Sequence, residues 1–181
     1  MNNSSEFSGR IAVVTGSSRG IGRETAVRLA SAGATVIITS RTLDIAKDVA
    51  GTIKREGGQA EAFAVDVSNP VSVDTLAASV IERFGQVDVL INNAGVSPAY
   101  ARAEKIDEAD WDAIIATNLK GTFLCCKRFG KVMIQQGSGC IVNMSSVLAR
   151  SGQPRLAAYA ATKGGIEALT RALAIEWAEH G

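Results

Sequence analysis

Apolar residues fall into two rhythms along this chain. Short runs over 10–15, 35–39, 60–65, 88–92 and 140–144 read as strands, the first a buried apolar run ending at Gly16 and the second β-branched throughout. Between them, 21–32, 42–56, 70–84, 110–136 and 156–179 carry apolar residues at helical spacing. Gly33 and Gly57-Gly58 close the first two helices, and Pro70 opens the third at its first turn. The stripe of 110–136 is Trp111, Ile115, Thr122, Cys126, Phe129 and Met133; that of 156–179 is Ile166, Leu169, Leu173 and Trp177. Strands alternating with helices demand crossover connections, hence a parallel sheet with helices on both faces. The pattern predicts an α/β fold: one doubly wound domain over 10–181, preceded by a flexible tail over 1–9.

Composition narrows the picture. A length of 181 residues fits one domain, and 46% hydrophobic residues supply a core. No run approaches the roughly 20 apolar residues a membrane-spanning helix needs. The polar start lacks the basic-then-apolar order of a signal peptide. With 19 basic and 18 acidic residues, net charge is +1, which gives nucleic acid or an anionic membrane no foothold. Cys125, Cys126, Cys140 and the single His180 have no metal-ligand spacing. The expectation is a reducing, cytoplasmic compartment and no metal.

Chemistry enters first at the turn between the first strand and first helix. Gly16, Gly20 and Gly22 sit there in a Gly-x-x-x-Gly-x-Gly spacing. A pyrophosphate needs bare backbone and a helix N-terminus to approach, and glycines permit both. The alternative is a purely structural glycine turn. The second strand ends at Ser40-Arg41, with no acidic residue to hold a ribose 2′-hydroxyl. Arg19 and Arg41 are instead charge-assisted donors suited to a 2′-phosphate, which favours NADP(H) over NAD(H). Against this stands Arg41 as an ordinary solvated side chain.

The second chemical pattern is Tyr159-Ala160-Ala161-Thr162-Lys163. Four residues apart, Tyr159 and Lys163 share a helix face. A free tyrosine titrates near ~10. An ammonium ~4 Å away, at an effective dielectric of ~20, favours the phenolate by about 4 kcal/mol. Alone, the pair also fits a helix surface. Asn118 lies on the apolar stripe of its own helix, so its amide must find buried partners. Ser145 and Ser146 close the fifth strand, at the sheet edge where ligands bind in parallel α/β sheets.

Taken in order, these motifs resemble the short-chain dehydrogenase/reductase family: Thr15-Gly16-x-x-x-Gly20-x-Gly22, Asp66-Val67, Asn92-Asn93-Ala94-Gly95, Asn118, Ser146 and Tyr159-x-x-x-Lys163. The resemblance runs from Gly9 to Gly181 and implies a Rossmann-type sheet. It implies hydride transfer between nicotinamide and a carbonyl or secondary alcohol. Tyr159 is then the general acid or base, Ser146 (rather than Ser145) a donor to the reacting oxygen, and Lys163 the holder of the nicotinamide ribose. Asn118 anchors a water in the proton relay. The cofactor side comprises Gly16, Ser18, Arg19, Gly20, Ile21 and Gly22, then Ser40 and Arg41, Asp66 and Val67, and Asn93, Ala94 and Gly95, together with Tyr159 and Lys163.

The chain departs from the family in ending at Glu179-His180-Gly181, before the last strands and substrate loop of the usual domain. The strand at 140–144 is therefore expected to be an open sheet edge. Three alternatives to an NADP-dependent oxidoreductase remain: a cofactor-binding module without turnover, a structural subunit completing its sheet with another chain, and a 3-oxoacyl-carrier-type reductase. Lys127, Arg128 and Lys131 form a basic patch that suits an acidic carrier, or a solvated helix face. Arg150, Gln153 and Arg155, between the fifth strand and the Tyr159 helix, suit an anionic or polyhydroxylated small-molecule substrate, or an ordinary loop. By resemblance, the chain assembles as a homo-oligomer, dimer or tetramer, through the helices at 110–136 and 156–179.

Overall fold

All five strands form, and all pair in parallel, in the computed structural model, which describes residues 6–97 and 99–181. They are β1 (Ile11–Val14), β2 (Thr35–Ser40), β3 (Gln59–Ala64), β4 (Val89–Asn92) and β5 (Cys140–Asn143), in the order β3-β2-β1-β4-β5. The chain winds outward from β1 to β3, then crosses back to β4 and β5. The strand order thus reverses between β1 and β4, the crevice in which doubly wound sheets take their ligands.

Alternation along each strand divides the core in two. Val13, Ile37 and Leu90 face α3 (Pro70–Phe84) and α5 (Gly121–Gln136), meeting Leu76, Val80 and Phe129. Val14, Val36 and Ile38 face α1 (Gly20–Ser31) and α2 (Leu43–Arg55), meeting Ala26, Val49 and Ile53. Helix ends follow local chemistry. Asn69 caps α3 by accepting from the N–H groups of Val71 and Ser72, and the left-handed Gly85 stops it.

Three elements differ from the sequence expectation. The helix expected over 110–136 is three segments: α4 (Glu108–Ile114), a π-helical turn Ile115–Lys120, and α5. One extra residue in that turn shifts the register of the stripe, so Trp111 is 40% exposed whereas Asn118 is fully buried. A four-residue helix, α6 (Leu148–Ser151), precedes the long α7 (Ala157–Glu176). Of the tail expected over 1–9, residues 6–9 form a turn docked on the domain: the Phe7 N–H donates to Ala32 at 2.9 Å and its ring packs on the α1–α2 core. Residues 1–5 lie outside the described residues.

β5 has β4 as its one strand neighbour among the described residues. Val142 is 42% exposed there. An apolar cavity of about 340 Å³, lined by Met133, Ile141, Leu173 and Trp177 among others, opens beside it. No helix among the described residues is long and apolar enough to cross a membrane.

Candidate active site

The sequence-predicted residues gather along one edge of the sheet. Asp66-Val67 follow β3, Ser40-Arg41 end β2, the glycine turn follows β1, Asn93–Gly95 follow β4, and Ser145-Ser146 follow β5. This is the C-terminal edge of every strand.

Two of these segments are interlocked. The Thr15 hydroxyl accepts the N–H groups of Asn93 and Ala94 at 3.0 and 3.1 Å, while Asn93 Nδ2 donates to the carbonyls of Thr15 and Gly16, each at 3.0 Å. A Cβ on Gly16, whose φ is +63°, would lie 2.9 Å from Ala94 Cα. Gly16 therefore lets the two loops touch. Gly20 is different: its φ is +56°, yet a Cβ there would meet nothing within 4 Å. Gly20 is exposed at the start of α1, and Arg19 before it provides no side-chain cap, so the first N–H groups of the helix keep their capacity for an anion. The glycine turn thus fits a dinucleotide pyrophosphate. Ile21 beside it is 65% exposed.

Sequence reasoning missed the polar pins beneath this turn. Buried Ser17 donates to Val14 O at 2.8 Å and accepts the Thr39 N–H at 2.8 Å. Thr39 Oγ1 in turn accepts the Gly16 N–H at 3.2 Å. Thr39 inside the β-branched second strand was the available signal, whereas Ser17 in the glycine turn gave none. Together they tie the end of β2, with Ser40 and Arg41, to the glycine turn. Arg19 and Arg41 are both exposed, and neither has a carboxylate within 4 Å among the described residues. Asp66 is exposed and accepts from Ser68 at 2.7 Å, whereas Val67 turns its side chain into the core.

Asn118, Ser146, Tyr159 and Lys163 come from three elements that pack together. The Asn118 amide accepts from Val96 N–H at 2.8 Å, donates to Val96 C=O at 2.9 Å and reaches Thr162 Oγ1 at 3.5 Å. Three of its four hydrogen-bonding positions are taken, which leaves one for a further partner. Thr162 donates to Tyr159 O at 2.7 Å, which carries the linkage into α7. Gly165 lets α7 close on the π turn, because a Cβ there would come within 3.0 Å of Leu119.

Lys163 is 5% exposed. Its Nζ donates to Met144 O at 2.6 Å and lies 5.5 Å from the centroid of the Tyr159 ring. Burial pushes its pKa down. Ser146 Oγ accepts the Leu148 N–H at 3.2 Å, which leaves its own proton to give.

The three residues weighed for substrate separate. Arg150 pairs with Glu167 at 3.1 Å, while Arg155 holds its guanidinium 5.4 Å from the centroid of the Tyr100 ring. Arg155 is also the one non-glycine residue with positive φ among those described, at 69°. Gln153 is exposed. The basic patch on α5 is smaller than expected, because Arg128 forms a two-pronged ion pair with Asp74, its Nη2 arm at 2.9 Å. Cys125 and Cys126 are buried, which pushes their thiols up to about 12 and about 11.

Residues 10–181 match the short chain dehydrogenase family. The chain belongs to that family. Among its relatives, a 3beta-hydroxysteroid dehydrogenase of Mediterraneibacter gnavus is 39% identical over 97% of this chain and 63% of its own length. A D-threitol dehydrogenase of Mycolicibacterium smegmatis is 38% identical over 96% and 66%. The chain thus spans about two thirds of the length of these curated relatives. Of solved structures, a metagenomic short-chain oxidoreductase in complex with NADP superposes with a TM-score of 0.93 at 39% identity, covering 97% of this chain and 80% of that one. A gluconate 5-dehydrogenase from Burkholderia cenocepacia, in complex with NADP and tartrate, gives 0.94 at 35%, covering 99% and 70%. This member of the short-chain dehydrogenases therefore combines the family fold with an intact glycine turn and a Tyr-x-x-x-Lys helix.

Proposed function

We propose that the protein is an NADP-dependent oxidoreductase acting between a carbonyl and a secondary alcohol. The observation that carries this reading is the convergence of Tyr159, Lys163, Ser146 and Asn118 beside a glycine turn with a free helix N-terminus. A nicotinamide cofactor, when bound, would supply or accept the hydride. Gly20, Ile21 and the first turn of α1 hold the pyrophosphate, Asn93–Gly95 line the cofactor, and Asp66 and Val67 flank the adenine. Tyr159 gives its phenolic proton to the forming alkoxide, or takes the alcohol proton in the reverse direction. Ser146 donates a hydrogen bond to the same oxygen. Lys163, whose ammonium has three protons, would hold the nicotinamide ribose while keeping its bond to Met144 O. Asn118 fixes the loop after β4 against α7.

Arg19 and Arg41 favour the phosphorylated cofactor, since neither has a carboxylate within 4 Å among the described residues and β2 ends without an acid. Arg155, unlike Arg150, has no carboxylate partner among the described residues and is the side chain available to an anionic substrate group. Exposed Phe123 on α5 and Ile175 on α7 support a homo-oligomer through those helices. Buried free thiols at Cys125 and Cys126 support a reducing, cytoplasmic setting.

The test is NADPH consumption by the native protein over a panel of ketones and aldehydes, with NADP reduction over the matching alcohols. Tyr159→Phe abolishes turnover while cofactor still binds. Appreciable turnover in that variant overturns the role of Tyr159. Cofactor binding without turnover on any substrate favours a binding module instead.

A further inference from the structure

Ser146 sits in a short segment that one side chain of α7 grips at both ends. That side chain is Glu167, one turn beyond Lys163, so Tyr159, Lys163 and Glu167 follow at four-residue spacing along the helix. Its Oε1 lies 3.2 Å from the Ser145 hydroxyl and its Oε2 lies 3.1 Å from Arg150 Nε. Arg171 stands at 3.9 Å. The Glu167 side chain is 21% exposed.

Everything between these grips is internally bonded. Ser146 Oγ accepts from Leu148 N–H at 3.2 Å, Ser146 O from Ala149 N–H at 3.0 Å, and Val147 O from Arg150 N–H at 3.1 Å. The segment 145–150 therefore moves as a unit, and its position relative to α7 is set where it touches α7. Lys163 holds the residue just before it through Met144 O. Ser145 has one hydroxyl proton and two acceptors, Glu167 at 3.2 Å and Lys163 O at 3.4 Å. An ionised carboxylate is the stronger acceptor and the nearer one. Arg150 is 80% exposed, so its ion pair contributes little by itself. The weight falls on the contact between Glu167 and Ser145.

We propose that Glu167 is a positioning residue for Ser146: by holding Ser145 and Arg150, it fixes the Ser146 hydroxyl against Tyr159 on the same helix. The proposal rests on Ser146 and Tyr159 being the reacting pair. A donor displaced by about 1 Å from its productive position loses on the order of 100-fold in rate. No step of the reaction passes through the Glu167 carboxylate itself.

The experiment is a double-mutant cycle on kcat in the native protein, with cofactor Kd measured alongside. Glu167→Ala lowers kcat by about 10- to 100-fold and leaves cofactor Kd unchanged. Glu167→Gln, which keeps an acceptor for Ser145, recovers most of the loss. In a Ser146→Ala background, Glu167→Ala costs little more, because the group it positions is gone. Losses that multiply instead would overturn the proposal. Hydrogen exchange supplies a readout independent of turnover: the amides of Leu148, Ala149 and Arg150, bonded within the segment, keep their protection in Glu167→Ala, because the segment shifts as a unit. Loss of that protection would mean that the segment unfolds rather than shifts, and would overturn the proposal. If Glu167→Ala does not fold, Ser145→Ala, which removes the same contact from its other side, carries the same cycle. Turnover surviving in Tyr159→Phe marks failure of the reaction scheme. Loss there with independent Glu167 and Ser146 effects marks failure of this inference alone.

Discussion

Asn118 fastens its side-chain amide to both backbone groups of one residue, Val96, accepting from the N–H at 2.8 Å and donating to the C=O at 2.9 Å. The clamp mimics a strand pairing between a buried helix residue and the loop after β4. It also meets the extra residue of the π turn: Thr122 donates its hydroxyl to the Asn118 carbonyl at 2.7 Å, closing a group that the widened turn disturbs.

Asn118→Asp tests the clamp. The carboxylate still accepts from Val96 N–H but presents a second oxygen to Val96 C=O, with no donor between them. A buried hydrogen bond becomes a repulsion, at a cost of about 3 kcal/mol. Urea unfolding reads this directly, and a loss below 1 kcal/mol would show the clamp to be dispensable. In the native protein, turnover falls more than cofactor affinity does.

Gly16 and Gly20 look alike in sequence, and their substitution by alanine separates them. Both have positive φ, which costs an L-residue about 1–2 kcal/mol. Only Gly16 adds a clash, with Ala94 Cα at 2.9 Å from the new Cβ. Gly16→Ala should therefore lose about 2–4 kcal/mol of stability, against about 1–2 kcal/mol for Gly20→Ala. Cofactor titration completes the contrast: Gly20→Ala loses affinity out of proportion to its small loss of stability. Equal losses of stability would refute the division of labour.

Cofactor choice rests on two exposed arginines. Replacing Arg41 with aspartate removes a donor and restores the acidic residue that a ribose 2′-hydroxyl prefers. A charge-assisted hydrogen bond contributes about 1.5–3 kcal/mol, or roughly 10- to 100-fold in affinity. The ratio of kcat/KM for NADPH over NADH should fall by about that factor in Arg41→Asp. An unchanged ratio leaves Arg41 as a solvated side chain.

Much of the fold was legible because it follows from periodicity. β-branched runs became β1, β2 and β4, and Gly33, Gly57 and Pro70 mark real helix ends. The site was legible as ordered motifs, since residues at the C-terminal ends of parallel strands are brought to one edge by topology alone. What periodicity could not show was the π turn, because one inserted residue depends on a tertiary partner, Val96, that lies 22 positions away. The same holds for Glu167: its spacing from Lys163 was visible, but the loop folding back to give it Ser145 and Arg150 was not. Trp111 was misassigned to the buried stripe for the same reason, since the register breaks between it and Asn118.

Lys163 makes the last prediction, and its sign follows from burial. An ammonium only 5% exposed, with one carbonyl as its partner, is penalised in its charged form, so its pKa in the folded chain lies below the ordinary 10.5. Below the folded value both states carry the proton, and the folded state bears the whole penalty. Between the folded value and 10.5 the unfolded chain binds a proton that the folded chain does not, so stability rises with pH across that interval. Lys163→Met has no such proton. Measured against that variant by thermal unfolding at a series of pH values, the natural chain should gain relative stability as pH climbs toward 10.5, and the difference should level off above it. Lys163→Met should at the same time lose turnover, since Met144 O and the cofactor ribose both lose their donor. A stability difference that stays flat over the alkaline range would mean that Lys163 is solvated in the folded protein, and the reading of a buried, uncompensated cation beside Tyr159 would fall with it.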